Sequence, residues 1–360
     1  MPVEHALAEL RARSHPVDPH FLPIRDTTGC VLAETIRSPG PVPTEATALR
    51  DGWAVAAGDV VGASSYAPIA VAVYPPWMEA GQVMPAGTDA VLPPDAVAAQ
   101  NGIAEIVAET APGEGIRRFG EDAAPDAILC EAGERVRSSD MAVAMEAGIE
   151  QALVREARVR IFSRASVPEA SSELVARLAE SAGAAVERVR LHAREVETIA
   201  NALRACASDL ILIIGGTGLG REDHVAEALA ASGSLIARGI ALRPGETSGC
   251  GMVGTVPAIL VPRRLEAALA AALALVLPAL DHLMGATAPL PSLSGPLTRK
   301  VSSTVGMTEI VLLRRTGKGL EPLAAGDLTL AAIGAADAWL AVPPDSEGFA
   351  AGETVTAFLL

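Results

Sequence analysis

The spacing of apolar residues changes several times along the chain, and each change predicts a different kind of structure. Apolar residues at helical spacing predict a first helix over residues 3–13, and a second short element opens within residues 18–22. Prolines within residues 39–48 predict an extended crossover into a different domain. Short apolar runs separated by Gly and Pro then continue to about residue 135, which is typical of a compact all-β module. These runs lie at residues 69–73, 90–92, 103–107 and 127–129.

A capped helix is predicted over residues 138–149, where Ser138 or Ser139 can serve as the N-cap and Gly148 ends the helix. This helix could pack with the N-terminal helices, although it lies far from them in sequence. The β module would then be an insertion between them, an inference that periodicity alone does not establish.

Residues 157–285 alternate between strands and helices. Strands are predicted at residues 159–162, 185–189, 210–214, 234–241 and 258–261, and helices at about 168–182, 195–207, 222–231 and 264–283. Repeated β-α-β units predict a mainly parallel sheet that binds ligands at the carboxyl ends of its strands. The segment 209–223 and the loops 163–167 and 262–264 lie at such ends.

A glycine-rich turn joins a buried strand to a helix within Asp209–Asp223. Its glycines permit positive φ and close backbone approach, and its N–H groups and helix dipole would attract an anion. Asp223 could accept hydrogen bonds there or hold a divalent cation. We therefore expect a phosphorylated ligand at this turn, and the alternative is a tight β–α turn without a ligand.

Residues 295–360 predict a final β module that follows a Pro-rich linker. Its strands are predicted at about 309–314, 338–342 and 354–359, with a short helix at 328–334.

Composition narrows the classes of function. Hydrophobic residues make up 50% of the 360 residues and aromatic residues only 3%, so Ala, Val, Leu and Ile must fill the cores. The formal charge of −15 argues against a nucleic-acid or anionic-membrane surface, but it allows a local cationic pocket. The N-terminus lacks the apolar core of a signal sequence. The apolar stretch 267–280 contains Pro278, is shorter than a bilayer span and is predicted to be a buried helix.

The four cysteines, Cys30, Cys130, Cys206 and Cys250, form no C-x-x-C pair and have no His at ligand spacing. A zinc site or redox motif is therefore not favoured. Scattered cysteines of this kind suit a reducing cytoplasm, where we expect the protein.

Seven segments occur in an order that is typical of one protein family. They are Leu49–Val55 (family S-A-M-D-G-Y-A), Pro85–Val91 (P-x-G-A-D-A-V), Pro112–Asp122 (R-x-x-G-E-D), Asp209–Asp223 (D-x-x-x-x-x-G-G-V-S-x-G-x-x-D), Leu242–Glu246 (K-P-G-K), Ala335–Leu340 (A-D-G) and Ala351–Val355 (A-G-E-x-V). Over essentially its whole length the chain therefore resembles the molybdopterin molybdenumtransferase family. Members of this family, which includes the gephyrin E domain, insert molybdate into adenylylated molybdopterin.

The resemblance implies an α/β and β multidomain protein. It implies a helical linker domain of residues 1–40 with 136–156, an inserted β domain of 41–135, a parallel-sheet α/β molybdopterin-binding domain of 157–287 and a C-terminal β-barrel-like domain of 288–360. It also implies a homodimer, Mg²⁺, and adenylylated molybdopterin and molybdate as substrates. A molybdoenzyme or an intact paralogue of the family is a further expected partner.

Several family motifs are changed in this chain. The family's S-T-G-D-E-L becomes Ser163–Pro168 and loses its acidic pair, L-P-G-N-P becomes Val261–Leu265, and P-G-K-P becomes Pro244–Thr247. The threonine of M-T-G-A falls near Ala80, and a further acidic position falls near Arg194 and Glu195.

Three arginines bring positive charge to the strand ends where the family has acidic or small residues: Arg164, Arg263 and Arg264. They could neutralise phosphate directly instead of through magnesium. The alternative is that they are solvated residues at helix ends.

The anion-binding turn and the resemblance together give the candidate site. Asp51 and Asp223 are the expected catalytic and metal-binding residues. The residues expected to bind the pterin phosphate are Gly215, Gly216, Thr217, Gly218, Gly220, Arg117, Arg118, Ser163, Pro244 and Arg263.

Structural alternatives exist for several candidates. Asp51 and Asp89 could be turn residues. A surface ion-pair cluster is the alternative for Arg117, Arg118, Glu121 and Asp122. His192 and His224 are isolated, and Ser163 has no assignable base partner, so no Ser–His–Asp arrangement is predicted.

Three functions stay open at this point. The first is a divergent enzyme that inserts molybdate and releases AMP. The second is a catalytically impaired paralogue that binds molybdopterin or the finished cofactor. The third is a dimeric scaffold, in which case the pocket could hold no ligand or metal. The glycine turn beside a lost acidic motif favours binding over catalysis.

Overall fold

The computed structural model describes residues 1–100, 103–164, 168–193, 195–218, 220, 223–288 and 290–360, and only the backbone of residues 99, 100 and 103. It is a multidomain α/β and β protein with two compact units. The first unit consists of Met1–Glu34, Ala132–Arg137 and Gln151–Leu360. The second unit consists of Thr35–Glu131 and Ser138–Glu150.

The helices in the described ranges are short, except for one long segment near residue 275. They are α1 (Val3–Arg13), α2 (Ser138–Glu146), α3 (Glu169–Ser181), α4 (Val196–Arg204), α5 (Val225–Ser232), α6 (Leu265–Ala271), α7 (Leu277–Met284) and α8 (Leu330–Ala335).

The strands are numbered in chain order. In the N-terminal part they are β1 (His20–Pro23), β2 (Val31–Leu32), β3 (Ile36–Arg37), β4 (Thr47–Ala48), β5 (Gly52–Val55), β6 (Ser64–Val71), β7 (Trp77–Met78), β8 (Ala90–Leu92), β9 (Val97–Gln100), β10 (Ile103–Ala108), β11 (Ile116–Arg117), β12 (Ile128–Cys130) and β13 (Gln151–Arg155). They continue as β14 (Arg158–Arg164), β15 (Ala185–Leu191), β16 (Leu210–Ile214), β17 (Ser234–Arg238), β18 (Leu242–Arg243), β19 (Gly249–Val253) and β20 (Val256–Val261). The last seven are β21 (Ser292–Pro296), β22 (Val301–Ser302), β23 (Thr308–Thr316), β24 (Gly319–Ala325), β25 (Ala338–Val342), β26 (Gly348–Phe349) and β27 (Thr354–Leu359).

A six-stranded mixed sheet forms the centre of the first unit, in the order β15-β14-β16-β20-β19-β17. The first four strands are parallel, as predicted. Strand β19 runs antiparallel to β20 and to β17, so β17 points in the same direction as the first four strands and the sheet is mixed. Strand β19 was not predicted because it contains Gly249 and Gly251, which have low strand propensity. A Cβ on Gly251 would lie 2.2 Å from the Ser234 carbonyl oxygen, so only glycine allows β17 to pair this closely.

The continuous helix Leu265–Met284 packs beneath this sheet. It passes without a break through a π-helical stretch at Ala272–Val276 and ends at Gly285, whose φ is 66°. By length and composition it could cross a membrane, but 78% of its most apolar window is buried inside the protein. The predicted buried helix is confirmed. The stretch 267–280 is shorter than a bilayer span, but the helix that contains it has 20 residues and extends beyond the stretch at both ends, close to the predicted bounds of 264–283.

The C-terminal module of the first unit is a sheet in the order β18-β23-β25-β27-β21, with β24 also paired to β23. The three strands predicted for this module correspond to β23, β25 and β27, and the predicted short helix is α8. Strand β18, which lies more than sixty residues before β23 in the chain, pairs with it in parallel. The segment that follows β18 is thereby held by the C-terminal sheet.

Residues at the two ends of the inserted segment form a small sheet of their own. Strands β1, β13 and β2 pair antiparallel within the first unit, so the segments expected to be purely helical also contribute strands. The second unit holds α2 and four sheets of two or three strands, which agrees with the short apolar runs. Those sheets are β6-β10-β9, β7-β5-β8, β11-β4 and β12-β3.

The cysteines differ in their expected reactivity. Burial raises the pKa of the Cys30 and Cys250 thiols to about 11, so at pH 8 only about 0.1% of each is thiolate. Cys206 is half-buried, with its sulfur 3.1 Å from the Ser208 hydroxyl. We expect Ellman's reagent to label Cys206 in the folded protein and all four thiols after unfolding in urea. Labelling of Cys30 or Cys250 at the rate of Cys206 would contradict this.

Candidate functional site

The glycine turn after β16 has the conformation that its sequence predicts. The strand is fully buried, and Gly215 and Gly216 follow it with φ values of 83° and 74°. A Cβ on Gly216 would lie 2.7 Å from Cγ2 of Val225, the first residue of α5. Glycine at this position therefore allows the helix to begin directly against the turn.

The glycines later in the turn allow close approach and not a left-handed backbone. Gly218 and Gly220 are not among the described glycines with positive φ. Both instead make room for Asp223, because a Cβ on either residue would lie within 2.8–3.0 Å of Asp223 Oδ2. The Gly220 N–H donates to this oxygen at 3.2 Å. Leu219, Arg221 and Glu222 lie outside the described residues, as do Ala165–Val167 and Arg194.

A cavity of about 360 Å³ opens at this turn, at the carboxyl ends of the parallel strands. It has three walls: Gly216–Gly218, the turn Pro244–Thr247, and the start of α6 with the residues before it. The hydroxyl groups of Thr217 and Thr247 are 3.3 Å apart and connect the first two walls. The described residues that line the cavity are Gly216, Thr217, Gly218, Asp223, Pro244, Gly245, Glu246, Thr247, Pro262, Arg263, Arg264, Glu266 and Ala267.

The carboxylates of the cavity already have partners within the protein. Asp223 accepts from Gly220, and Glu246 accepts from the Gly245 N–H at 3.1 Å. Glu266 forms an ion pair with Arg264. Arg263 is exposed, and its carbonyl oxygen accepts from Ser171 Oγ at 2.9 Å, which fixes the backbone at the start of α6.

These carboxylates do not make a preformed metal site. The described part of the chain holds no group of three or more His, Cys, Asp or Glu side chains that could bind a metal ion. Mg²⁺ is, however, often held by one carboxylate together with substrate phosphates and water, and Asp223 is the carboxylate on the glycine turn.

Ser163 and Arg164 lie at the end of β14, beside the glycine turn. Their exposures are 6% and 7%, so both are buried. Neither Ser163 nor Arg164 is among the described residues that line the cavity, and Arg164 contacts the glycine turn from the side of α5. Arg164 Cγ is 3.8 Å from the position that a Cβ on Gly216 would occupy, and its Nη1 has no hydrogen-bond partner.

Three of the predicted site residues lie in the second unit. Asp51 Oδ1 accepts from the Ala80 N–H at 2.8 Å, so it binds a neighbouring turn and not its own backbone. Arg117 pairs with Asp122 at 3.3 Å, and both side chains are exposed by more than a third. Arg118 donates through its side chain to the Pro112 carbonyl at 3.0 Å, and its N–H donates to Glu121. Exposed pairs of this kind contribute little stability.

The remaining candidates have structural partners. Asp89 Oδ1 accepts from the Ala57 N–H at 2.7 Å, which supports its role as a turn residue. His224 Nδ1 lies 3.2 Å from Glu227 Oε2 on an exposed turn of α5. Asp209 binds Arg158 through both carboxylate oxygens at the amino end of the sheet, away from the turn that follows β16.

Sequence reasoning missed five of the cavity residues: Gly245, Glu246, Thr247, Glu266 and Ala267. The first three follow Pro244 directly, so they lie within the segment that corresponds to the family P-G-K-P motif. Glu266 lies close to the helix start that was predicted near residue 264. The pairing that brings these two segments to one cavity is a long-range contact that periodicity does not reveal.

A second cavity, of about 640 Å³, lies at the amino ends of the parallel strands. Its charged residues include Arg158 and Asp209, which pair with each other, and His20, which lies 3.8 Å from Glu156. Ligands of parallel sheets bind at the carboxyl ends of the strands, so the smaller cavity at the glycine turn is the better candidate.

Comparison with known proteins gives consistent matches along the chain. A family model described as "MoeA N-terminal region (domain I and II)" matches residues 1–148, and one described as "Probable molybdopterin binding domain" matches residues 150–282. Molybdopterin molybdenumtransferase 2 of Mycobacterium tuberculosis is 25% identical over 346 residues, which cover 84% of each chain.

Two solved structures share the fold. A molybdopterin biosynthesis MoeA protein from Pyrococcus horikoshii aligns with a TM-score of 0.70 at 23% identity and covers 100% of both chains. A molybdenum cofactor biosynthesis protein from Pyrococcus furiosus aligns with a TM-score of 0.64 at 18% identity and covers 100% of this chain and 99% of that one. The architecture described above is therefore the one found in these proteins.

Proposed function

Because the chain belongs to the molybdopterin molybdenumtransferase (MoeA) family, we propose that it acts in molybdenum cofactor biosynthesis by inserting molybdate into adenylylated molybdopterin. The observation that carries the proposal is the cavity at the carboxyl ends of the parallel strands, which lies within the region matched by the molybdopterin-binding model. The pterin substrate carries phosphate, and molybdate is itself an anion. Both require an anion site of the kind that this cavity offers.

The residues of the cavity have the chemistry that such ligands need. The backbone N–H groups of the glycine turn and the start of α5 would donate to phosphate oxygens. Arg263 is exposed at the opposite wall and would add positive charge, and the Thr217 and Thr247 hydroxyls would orient the ligand. Preorganised donors of this kind stabilise the charge that develops on a leaving phosphate.

The roles of the acidic residues are part of the proposal. Asp223 would hold a divalent cation together with phosphate oxygens, and the cation would offset the charge of the phosphates during the reaction. We also propose a catalytic role for Asp51 and phosphate binding by Arg117 and Arg118, on the basis of their motifs. We further propose that the protein is a cytoplasmic homodimer.

A second candidate function is binding without catalysis. It is favoured by the loss of the acidic pair after β14 and by the partners that each cavity carboxylate already has. Such a protein would hold molybdopterin or the finished cofactor for a molybdoenzyme.

Two measurements test these functions. Purified protein is incubated with adenylylated molybdopterin, Mg²⁺ and molybdate, and AMP is measured against a protein-free blank. Calorimetric titration with molybdopterin then measures binding alone. AMP release above the blank supports the enzyme, whereas binding without AMP release supports the second candidate. Neither AMP release nor binding would overturn both.

A further inference from the structure

We propose that Arg164 binds a phosphate group of the ligand directly, so that binding of a phosphate or pyrophosphate anion does not require the divalent cation that Asp223 would hold during the reaction. The inference rests on the proposed function only for the identity of the natural ligand, a pterin phosphate. Anion binding by Arg164 can be measured independently of it.

The burial of Arg164 is the first observation. The guanidinium is always charged, and a buried charge is costly unless it is paired. Arg164 is 7% exposed, and its Nη1 has no hydrogen-bond partner. Arg160, two pleats earlier on the same strand, is paired with Glu187. Nη1 of the buried Arg164 guanidinium therefore lacks a partner among the described residues, and an anionic ligand from solution would supply one.

The position of Arg164 is the second observation. It is the last residue of β14, a strand that is paired in parallel with β16, and the glycine turn follows β16 directly. Its Cγ lies 3.8 Å from the position of a Cβ on Gly216, a residue that lines the cavity. The side chain therefore lies against the turn whose N–H groups would bind the same anion.

A second buried donor lies beside another wall of the cavity. Ser248 is fully buried, and its Oγ also has no hydrogen-bond partner. This oxygen is 3.4 Å from the position of a Cβ on Gly245, which lines the cavity. Three described residues have a buried side-chain atom without a partner. Arg164 and Ser248 each lie against a glycine that lines this cavity, and Ser303 lies in the C-terminal module. A phosphate has several acceptor oxygens and can satisfy more than one donor.

The acidic residues indicate that the initial binding of the anion uses an arginine and not a preformed metal site. The carboxylates of the cavity are engaged with Gly220, Gly245 and Arg264. The described residues offer no cluster of three metal-binding side chains. Where the family has an acidic pair after β14, this chain has lost both carboxylates and has gained the buried Arg164.

The test is calorimetric titration of the full-length protein with inorganic pyrophosphate in EDTA, using wild type, Arg164→Met and Arg160→Met. We expect wild type to bind pyrophosphate in EDTA and Arg164→Met to bind at least about tenfold more weakly, because a hydrogen bond to a charged group is lost. Arg160→Met removes a paired arginine from the same strand and should bind like wild type.

Thermal unfolding separates ligand binding from a structural role. Without pyrophosphate, Arg164→Met should unfold at the same temperature as wild type or higher, because an unpartnered buried charge has been replaced by an apolar side chain of similar length. Pyrophosphate at ten times its Kd should raise the wild-type midpoint by about 3 °C and leave that of Arg164→Met nearly unchanged.

Each outcome has a defined meaning. If wild type binds pyrophosphate only when Mg²⁺ is present, binds none at all, or binds it as tightly after Arg164→Met, the inference is overturned. Unfolding of Arg164→Met at a clearly lower temperature would show that Arg164 is structural and would also overturn it. Arg164-dependent pyrophosphate binding by a protein that does not bind molybdopterin would support the inference while contradicting the proposed function.

Discussion

Gly52→Ala is expected to destabilise the second unit by about 3–5 kcal/mol, which is near the upper end for a single substitution. Gly52 begins β5, the central strand of the sheet β7-β5-β8. A Cβ there would lie 1.9 Å from the Leu92 carbonyl oxygen and 3.1 Å from Val91 Cγ1. Because the closest atom belongs to the backbone of a paired strand, the clash cannot be relieved by a side-chain rotation.

The measurement is urea unfolding followed by tryptophan fluorescence. Of the three tryptophans, Trp53 and Trp77 lie in this sheet and pair with each other, with ring centroids 5.0 Å apart. Their signal therefore reports the stability of the second unit.

The matched control is Gly62→Ala in the same unit. Gly62 has a φ of 81°, but a Cβ there would meet no atom within 4 Å. Gly62→Ala should lower the free energy of unfolding of the second unit by only about 1–2 kcal/mol, the strain of the left-handed conformation. Equal effects of the two substitutions would show that the contact with Leu92 is unimportant.

This prediction also bears on the motif Asp51-Gly52. If Gly52 is needed for strand pairing, the fold alone explains why this position of the motif is a glycine. The motif is then evidence for catalysis only through Asp51, whose Oδ1 is already bound to Ala80.

Gly216→Asp is expected to weaken molybdopterin binding about a hundredfold, because it places a carboxylate where the turn would otherwise donate to phosphate. The new Cβ would also lie 2.7 Å from Val225 Cγ2, so the start of α5 must shift. Asp tolerates the left-handed region better than most residues, so strain alone does not account for the effect. Calorimetric titration of wild type and variant measures it.

Gly254→Asp is the control for strain and charge in the same unit. Gly254 has a φ of 61°, joins β19 to β20, and has no atom within 4 Å of a built Cβ. It should bind molybdopterin like wild type. A similar loss in both variants would mean that general destabilisation, and not the glycine turn, controls binding.

The sequence predicted best those elements that are specified locally. The strand Leu210–Ile214 was predicted to the residue, because a continuous run of β-branched and leucine residues between polar ends permits few alternatives. Strand β19 was missed because its glycines, which have low strand propensity, are required by close contact with β17. This requirement comes from a neighbouring strand and cannot be seen in the sequence of β19 alone. Helix α5 begins at Val225, later than predicted, because Asp223 closes the preceding turn.

Only the part of the candidate site that is specified locally could be predicted. The glycine turn was identified from its sequence, because strand, glycines and helix follow one another directly. The sequence also placed Arg164 at a strand end but could not show its burial, since a positive charge in that position is typical of an exposed residue. The other walls depend on residues that are distant in sequence, and their approach is a property of the fold.

The pairing of β18 with β23 has a consequence for how this architecture can change in evolution. The turn Pro244–Thr247 directly follows β18, whose Arg243 also binds Glu309 and Thr304 from the C-terminal module. One wall of the ligand cavity thus depends on a neighbour that is encoded much later in the gene. A lineage could not lose or exchange its C-terminal module without also rebuilding the ligand-binding site, so the two parts are expected to be inherited together.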